Sequence, residues 1–184
     1  TPWTYSVTGV DLDFLKAGQT ITFSYTVAAK DSSGLLGATA TNTITFKIIG
    51  TNDTPNVSAT APTIFTEAAN AISQNLNDSG TVSFDDIDDT DVIDISFASN
   101  SDIEWSGGTL DTTLATSLTD GFSVTTLTDA AAPGSTPWTY SVTGVDLDFL
   151  KGGETITFSY TVAATDSSGL LGATATDTVS FKII

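Results

Sequence analysis

The segment Ile21-Thr22-Phe23-Ser24-Tyr25-Thr26-Val27 puts every apolar side chain on one face and every hydroxyl on the other, because successive residues of an extended chain point to opposite sides. That period of two in a Thr-rich run reads as a half-buried antiparallel strand. The same seven residues recur at Ile156–Val162. The match runs from Thr1–Ile49 to Thr136–Ile184, an offset of 135 residues, and six positions differ: Ala17/Gly152, Gln19/Glu154, Lys30/Thr165, Asn42/Asp177, Ile44/Val179 and Thr45/Ser180. A period of this length is that of an independently folding domain, not of a thin solenoid or a propeller blade.

The alternation continues around this segment. Trp3, Tyr5 and Val7 share a face against Thr4, Ser6 and Thr8, and Ile44, Phe46 and Ile48 alternate with Thr43, Thr45 and Lys47. These strands repeat at Trp138–Val142 and Val179–Ile183. Further candidates are Thr63–Thr66, Thr81–Phe84, Val92–Phe97, Ile103–Trp105 and Phe122–Thr126. Seven or eight short strands separated by Gly, Asp, Asn and Ser clusters predict an all-β, antiparallel β-sandwich in tandem repeats of 135 residues. Thr109–Thr119 offers one helical turn, against its Thr content. The expected organisation is residues 1–52 as the last three strands and linker of one repeat, and 53–184 as one complete repeat. A linker of five residues at Gly50–Thr54 spans at most about 18 Å, less than the roughly 30 Å length of a strand of eight to ten residues. The units are therefore expected to stack head to tail. The incomplete first unit is expected to exchange strands with another molecule or to be poorly ordered.

The five basic residues, all lysine, face 22 acidic ones, a formal charge of −17. Such a surface is a poor partner for nucleic acid or an anionic membrane, and no membrane insertion is expected. Cys, Met, His and Arg are all absent, which excludes disulfides, thiolate or imidazole metal sites, and catalysis built on Cys or His.

Five carboxylates fall within Asp85-Asp86-Ile87-Asp88-Asp89-Thr90-Asp91, directly after a strand. Like charges this close repel unless a cation intervenes or the loop splays into water. Calcium takes six to eight oxygen ligands, which such a loop begins to supply. The spacing does not fit the twelve-residue helix-loop-helix motif. Head-to-tail stacking brings three more groups toward this loop: Asp11 and Asp13 in the turn before Ile21, Asn52 and Asp53 in the linker, and Asp166 between the last two strands.

The run from Asp11-Leu12-Asp13 through Tyr25-Thr26-Val27-Ala28-Ala29-Lys30-Asp31 to Asn52-Asp53-Thr54-Pro55 resembles the tail of a cadherin repeat. With Gly50-Thr51 before it, Thr66-Glu67 after it and the stretch Gly80–Asp91, it is more similar still to the VCBS-type, cadherin-like repeats of giant RTX adhesins. The resemblance implies an immunoglobulin-like, cadherin-like sandwich serving as an extender of a secreted bacterial adhesin at the cell surface, with calcium as cofactor and neighbouring repeats as partners. As ligands it implies Asp11, Asp13, Asn52, Asp53, Asp86, Asp88 and Asp166 at this junction, and Glu67, Asp146 and Asp148 at the next; Asp89 and Asp91 of the same acidic run are further candidate metal ligands. Gly50 stands where cadherins carry the first linker Asp, and the linker is one residue shorter before Pro55.

Other readings weigh less. Paired carboxylates serve glycosidases, but these lie in short loops with nothing to suggest a cleft, so no enzyme is expected. Trp3/Trp138, Tyr5/Tyr140 and Trp105 could form a carbohydrate platform, yet they fall on the apolar faces and read as core. A carbohydrate- or surface-ligand-binding module is the alternative function. A wall brick would need lateral self-association. Asp31-Ser32-Ser33-Gly34 and its copy Asp166-Ser167-Ser168-Gly169 also fit plain turn chemistry.

Overall fold

The computed structural model describes residues 2–69 and 72–184. An N-terminal unit holds a two-stranded antiparallel hairpin, β1 (Thr20–Lys30) and β2 (Thr39–Ile49). The rest forms two facing antiparallel sheets. One contains β3 (Asn56–Ala59), β4 (Gln74–Asp85), β9 (Gly134–Val145) and β7 (Phe122–Val124), in the order β3-β4-β9-β7. The other is β11 (Thr174–Ile183), β10 (Ile156–Asp166), β5 (Val92–Ser99) and β8 (Leu127–Ala131), in the order β11-β10-β5-β8. The two-residue strand β6 (Glu104–Trp105) pairs with the start of β10, below β5.

The sheets meet through the alternating apolar faces that the sequence marks. Tyr140 on β9 packs on Phe181 of β11 at 4.5 Å between ring centroids, and Phe122 of β7 stacks on Tyr160 of β10 at 4.3 Å. Trp138, Tyr140, Tyr160 and Phe181 are among the largest fully buried side chains. Burying a phenol requires a partner for its hydroxyl. Tyr140 and Tyr160 both donate to carbonyls of one short helix, those of Leu118 and Thr119, and burial raises both phenol pKa values, so each stays a donor.

That helix, α1, spans Thr112–Thr119. Its composition is poor for helix, but Asp111 caps it by accepting from the N–H groups of Thr113 and Leu114 at 2.9 and 3.3 Å. Thr116, Ser117 and Thr119 donate back to carbonyls four residues earlier, which ties up hydroxyls that would otherwise compete with the backbone. Leu118 anchors the turn in the core.

Three expectations need correction. Trp3–Val7 forms no strand, although its copy lies in β9. In β9, Trp138 and Val142 pair with Gly80 and Leu76 of β4, and the N-terminal unit has no such neighbour to take its backbone groups. The unit therefore holds two strands, not three. Thr63–Thr66 contributes one parallel bridge, Phe65 to Ile183, instead of a strand. Two strands escaped the sequence reading: β3, only four residues long, and β8, whose Asp129 takes a positive φ of 51°.

Candidate metal centre

The acidic loop lies where the chain crosses from one sheet to the other, between the end of β4 and the start of β5. Its shape is set by its own carboxylates: Asp85 accepts from the Asp86 N–H at 2.9 Å, and Asp86 from the Asp88 N–H at 3.0 Å. Thr90 closes the turn at a φ of 67°. Antiparallel pairing then brings in a distant residue. The β5–β10 register sets Asp166 opposite Ile93, two residues beyond Asp91, so the last residue of β10 ends beside the loop. One carboxylate oxygen from each of Asp86, Asp91 and Asp166 lies within 4.8 Å of the others, a set that could hold a metal ion.

The linker reaches the same place. Asn52 donates from Nδ2 to Asp166 Oδ2 at 3.1 Å, and the Asp53 N–H donates to Asp88 Oδ2 at 2.8 Å. Gly50 makes the approach possible. Its N–H donates to the Gln19 carbonyl at 2.9 Å, and a Cβ on it would lie 2.1 Å from the Leu15 carbonyl oxygen, a distance no side chain tolerates. A third strand of contact comes from the loop before β1: the Asp89 N–H donates to the Phe14 carbonyl at 3.0 Å, and Lys16 Nζ lies 3.0 Å from Asp91 Oδ1.

These bonds share a pattern. Asp86, Asp88 and Asp91 each use one carboxylate oxygen for a protein donor and leave the other buried without one: Asp86 Oδ2, Asp88 Oδ1 and Asp91 Oδ2. Asn52 likewise donates from its nitrogen and leaves Oδ1 buried and unpaired. Buried oxygens without partners cost on the order of 1–3 kcal/mol each, more when charged, so these four form a set that a cation could satisfy. The donor set is all oxygen, which suits a hard cation. A cavity of about 610 Å³ bordered by Phe14, Asp86, Asp88, Asp91, Ala131 and Ala132 leaves room beside it.

Burial, more than any other cause, raises the pKa of both Asp86 and Asp88. In each case one backbone N–H, that of Asp88 or Asp53, pulls the other way, and the neighbouring carboxylates add to the rise.

The remaining sequence candidates fall elsewhere. Asp11 and Asp13 are exposed and outside the three-carboxylate set. Asp11 Oδ1 instead accepts the Asp13 N–H at 3.1 Å, a turn repeated at Asp146 and Asp148. Asp89 is exposed and contributes its backbone only. Glu67, Asp146 and Asp148 lie at the far end of the sandwich, where the Glu67 N–H donates to Ile184 and β9 ends at Val145. Lys16 was not anticipated. Its signal was available: it is the lone basic residue in the loop before β1, and it recurs as Lys151.

Trp138 and Tyr140 lie in the core and form no platform. Trp105 instead borders a groove of about 540 Å³ with Leu110, Leu114 and Phe149. Comparison of the chain with protein-family models and with curated proteins gives no match.

Proposed function

We propose that this chain is a calcium-stiffened extender of a secreted bacterial adhesin, built of immunoglobulin-like units that hold adhesive domains away from the cell surface. The observation that carries the reading is the set of four buried, unpaired oxygens on Asn52, Asp86, Asp88 and Asp91. They belong to the linker and to the domain that follows it, so an ion bound there ties the linker to the sandwich. Asp166 supplies a further carboxylate. Five carboxylates, counting that of Asp53, and one carboxamide approach the six to eight oxygens calcium takes, with flexible geometry, whereas magnesium demands a regular octahedron and keeps its waters. A ligand that binds one arrangement of the linker raises the population of that arrangement. The output is reach and stiffness rather than chemistry.

Small-angle scattering and thermal melting of the 184-residue chain, with calcium and then with chelator, test this. Calcium is expected to raise the melting temperature and narrow the distribution of maximum dimensions. No change in either quantity would remove calcium-dependent stiffening. The groove beside Trp105 favours one other reading, a binding module for sugars, which glycan binding by the chain in chelator would support.

A further inference from the structure

The N-terminal unit carries an aromatic cluster that is already assembled and faces solvent. Phe23 and Phe46 stack at 5.3 Å and 15°, while Phe158 and Phe181, their copies, stack at 5.2 Å and 10°. Tyr5 lies on Phe46 at 4.6 Å as Tyr140 lies on Phe181 at 4.5 Å, and Tyr25 meets Phe46 at 82° as Tyr160 meets Phe181 at 87°. The strand register is also the same, Phe23 opposite Phe46 and Phe158 opposite Phe181. The two copies differ in what covers them. Trp138 is 1% exposed and Trp3 59%, and Tyr160 is 2% exposed and Tyr25 54%.

We infer that the face of Trp3, Tyr5, Tyr25, Val27 and Phe46 is a docking surface for a second copy of the segment from Asn56 to Ala131, bound as that segment binds to β9, β10 and β11. The occupant is identified by the molecule itself, since this segment covers a face of nearly the same sequence and the same ring geometry. Its polar contacts are also waiting. Trp138 Nε1 donates to Thr60, and the phenols of Tyr140 and Tyr160 donate to the carbonyls of Leu118 and Thr119. Trp3, Tyr5 and Tyr25 offer the same donors.

The substitutions between the copies spare these contacts. Glu154 accepts from Trp105 Nε1, and Asp177 accepts from the Ala59 N–H. Gln19 stands in the first place and keeps an acceptor oxygen, whereas Asn42 has a single oxygen, which already accepts the Thr43 N–H at 2.9 Å, so it reproduces the Asp177 contact only by sharing that oxygen between two donors. On the aromatic face the one difference is Ile44 for Val179, a change of one methylene.

Stoichiometry restricts the partner. The 184 residues contain one such segment and two such faces, so exchange between two 184-residue chains leaves as many faces uncovered as before. The occupant is an additional copy of the segment, not a second 184-residue chain. The inference does not depend on the junction ion.

The test extends the chain by placing a second copy of residues 53–135 directly before Thr1, and measures hydrogen exchange in chelator. Peptides that include Gln19 or Lys30 are distinguishable from those with Glu154 or Thr165. In the 184-residue chain, the amides of 21–27 should exchange at least ~100-fold faster than those of 156–162. In the extended chain, the two should agree within about tenfold. A gap that persists in the extended chain overturns the inference, whether the added segment folds apart from the face or does not fold. Concentration-dependent protection of 21–27 in the 184-residue chain also overturns it, because the face would then be taken by its own kind.

Discussion

Lys16 Nζ lies 3.0 Å from Asp91 Oδ1, so an ion pair joins the loop before β1 to the acidic loop of the domain below. Asp91 is almost fully buried there, and Ser167 donates to the same oxygen at 2.9 Å. Among the described residues, Lys16 thus supplies the one positive charge paired with this cluster of carboxylates. Without a metal, Lys16→Met should lower the stability of the junction by about 1.5–3 kcal/mol, the worth of a hydrogen bond to a charged group. With calcium bound the loss should be smaller, since the ion takes over the neutralisation. The thermodynamic cycle then requires the variant to bind calcium more tightly than the parent by that difference. Titration calorimetry on both proteins checks the sign.

Asp88→Asn separates the cost of the cluster from its use. The carboxamide oxygen can still accept the Asp53 N–H that now bonds Asp88 Oδ2 at 2.8 Å, while the buried negative charge is gone. In chelator the variant should melt at or above the parent, because an unneutralised buried carboxylate is unfavourable. In calcium it should melt below the parent, with affinity reduced at least tenfold, about 1.4 kcal/mol. A variant that is destabilised alike in both conditions would mean that Asp88 acts only through local bonding.

The raised pKa values of Asp86 and Asp88 fix the direction of a pH effect. Both groups bind a proton more tightly when folded than at the ordinary value of 3.8. In the metal-free protein their protonation favours the folded state. That contribution is complete below about 3.8 and is lost as pH rises through the higher folded values. Calcium binding runs the opposite way, because the ion needs both groups ionised. Its affinity should fall as pH drops from 7 toward 4, while the melting temperature in chelator shows a gain from these two groups over the same interval. Paired titrations with and without calcium measure both slopes.

How far the sequence could be read depended on whether an interaction was local. Alternation at 21–27 and 156–162 identified strands because each residue's face follows from its own position. Trp3–Val7 has the same alternation and forms no strand, since pairing depends on β4 and β7, which that unit lacks. In the same way, the carboxylate run 85–91 declared its chemistry, and Asp166 was legible as a candidate. That Asp166 meets Asp86 and Asp91 follows from the β5–β10 register, which no single segment contains. Asp11 and Asp13 had the right residue type, but the Asp11 carboxylate accepts the Asp13 N–H and neither belongs to the three-carboxylate set. The loop sends Lys16 to the site instead.

Trp3 and Trp138 provide the sharpest comparison, being one residue in one local sequence under two degrees of cover. Trp138 donates to Thr60 Oγ1 at 3.1 Å and fills space so fully that a Cβ on Gly80 would lie 2.4 Å from its indole nitrogen. Trp138→Ala should therefore cost about 3–5 kcal/mol, the range for removing a large buried aromatic. Trp3 rests edge-on against Phe46 at 5.4 Å with most of its surface in water. Trp3→Ala in the 184-residue chain should change the main unfolding transition by less than about 0.5 kcal/mol, as for an ordinary surface substitution. Denaturant unfolding of the two variants reads the contrast directly. Equal losses would mean that the Trp3 face is covered in solution, and equal indifference would mean that the Trp138 core is not packed as the two sheets require.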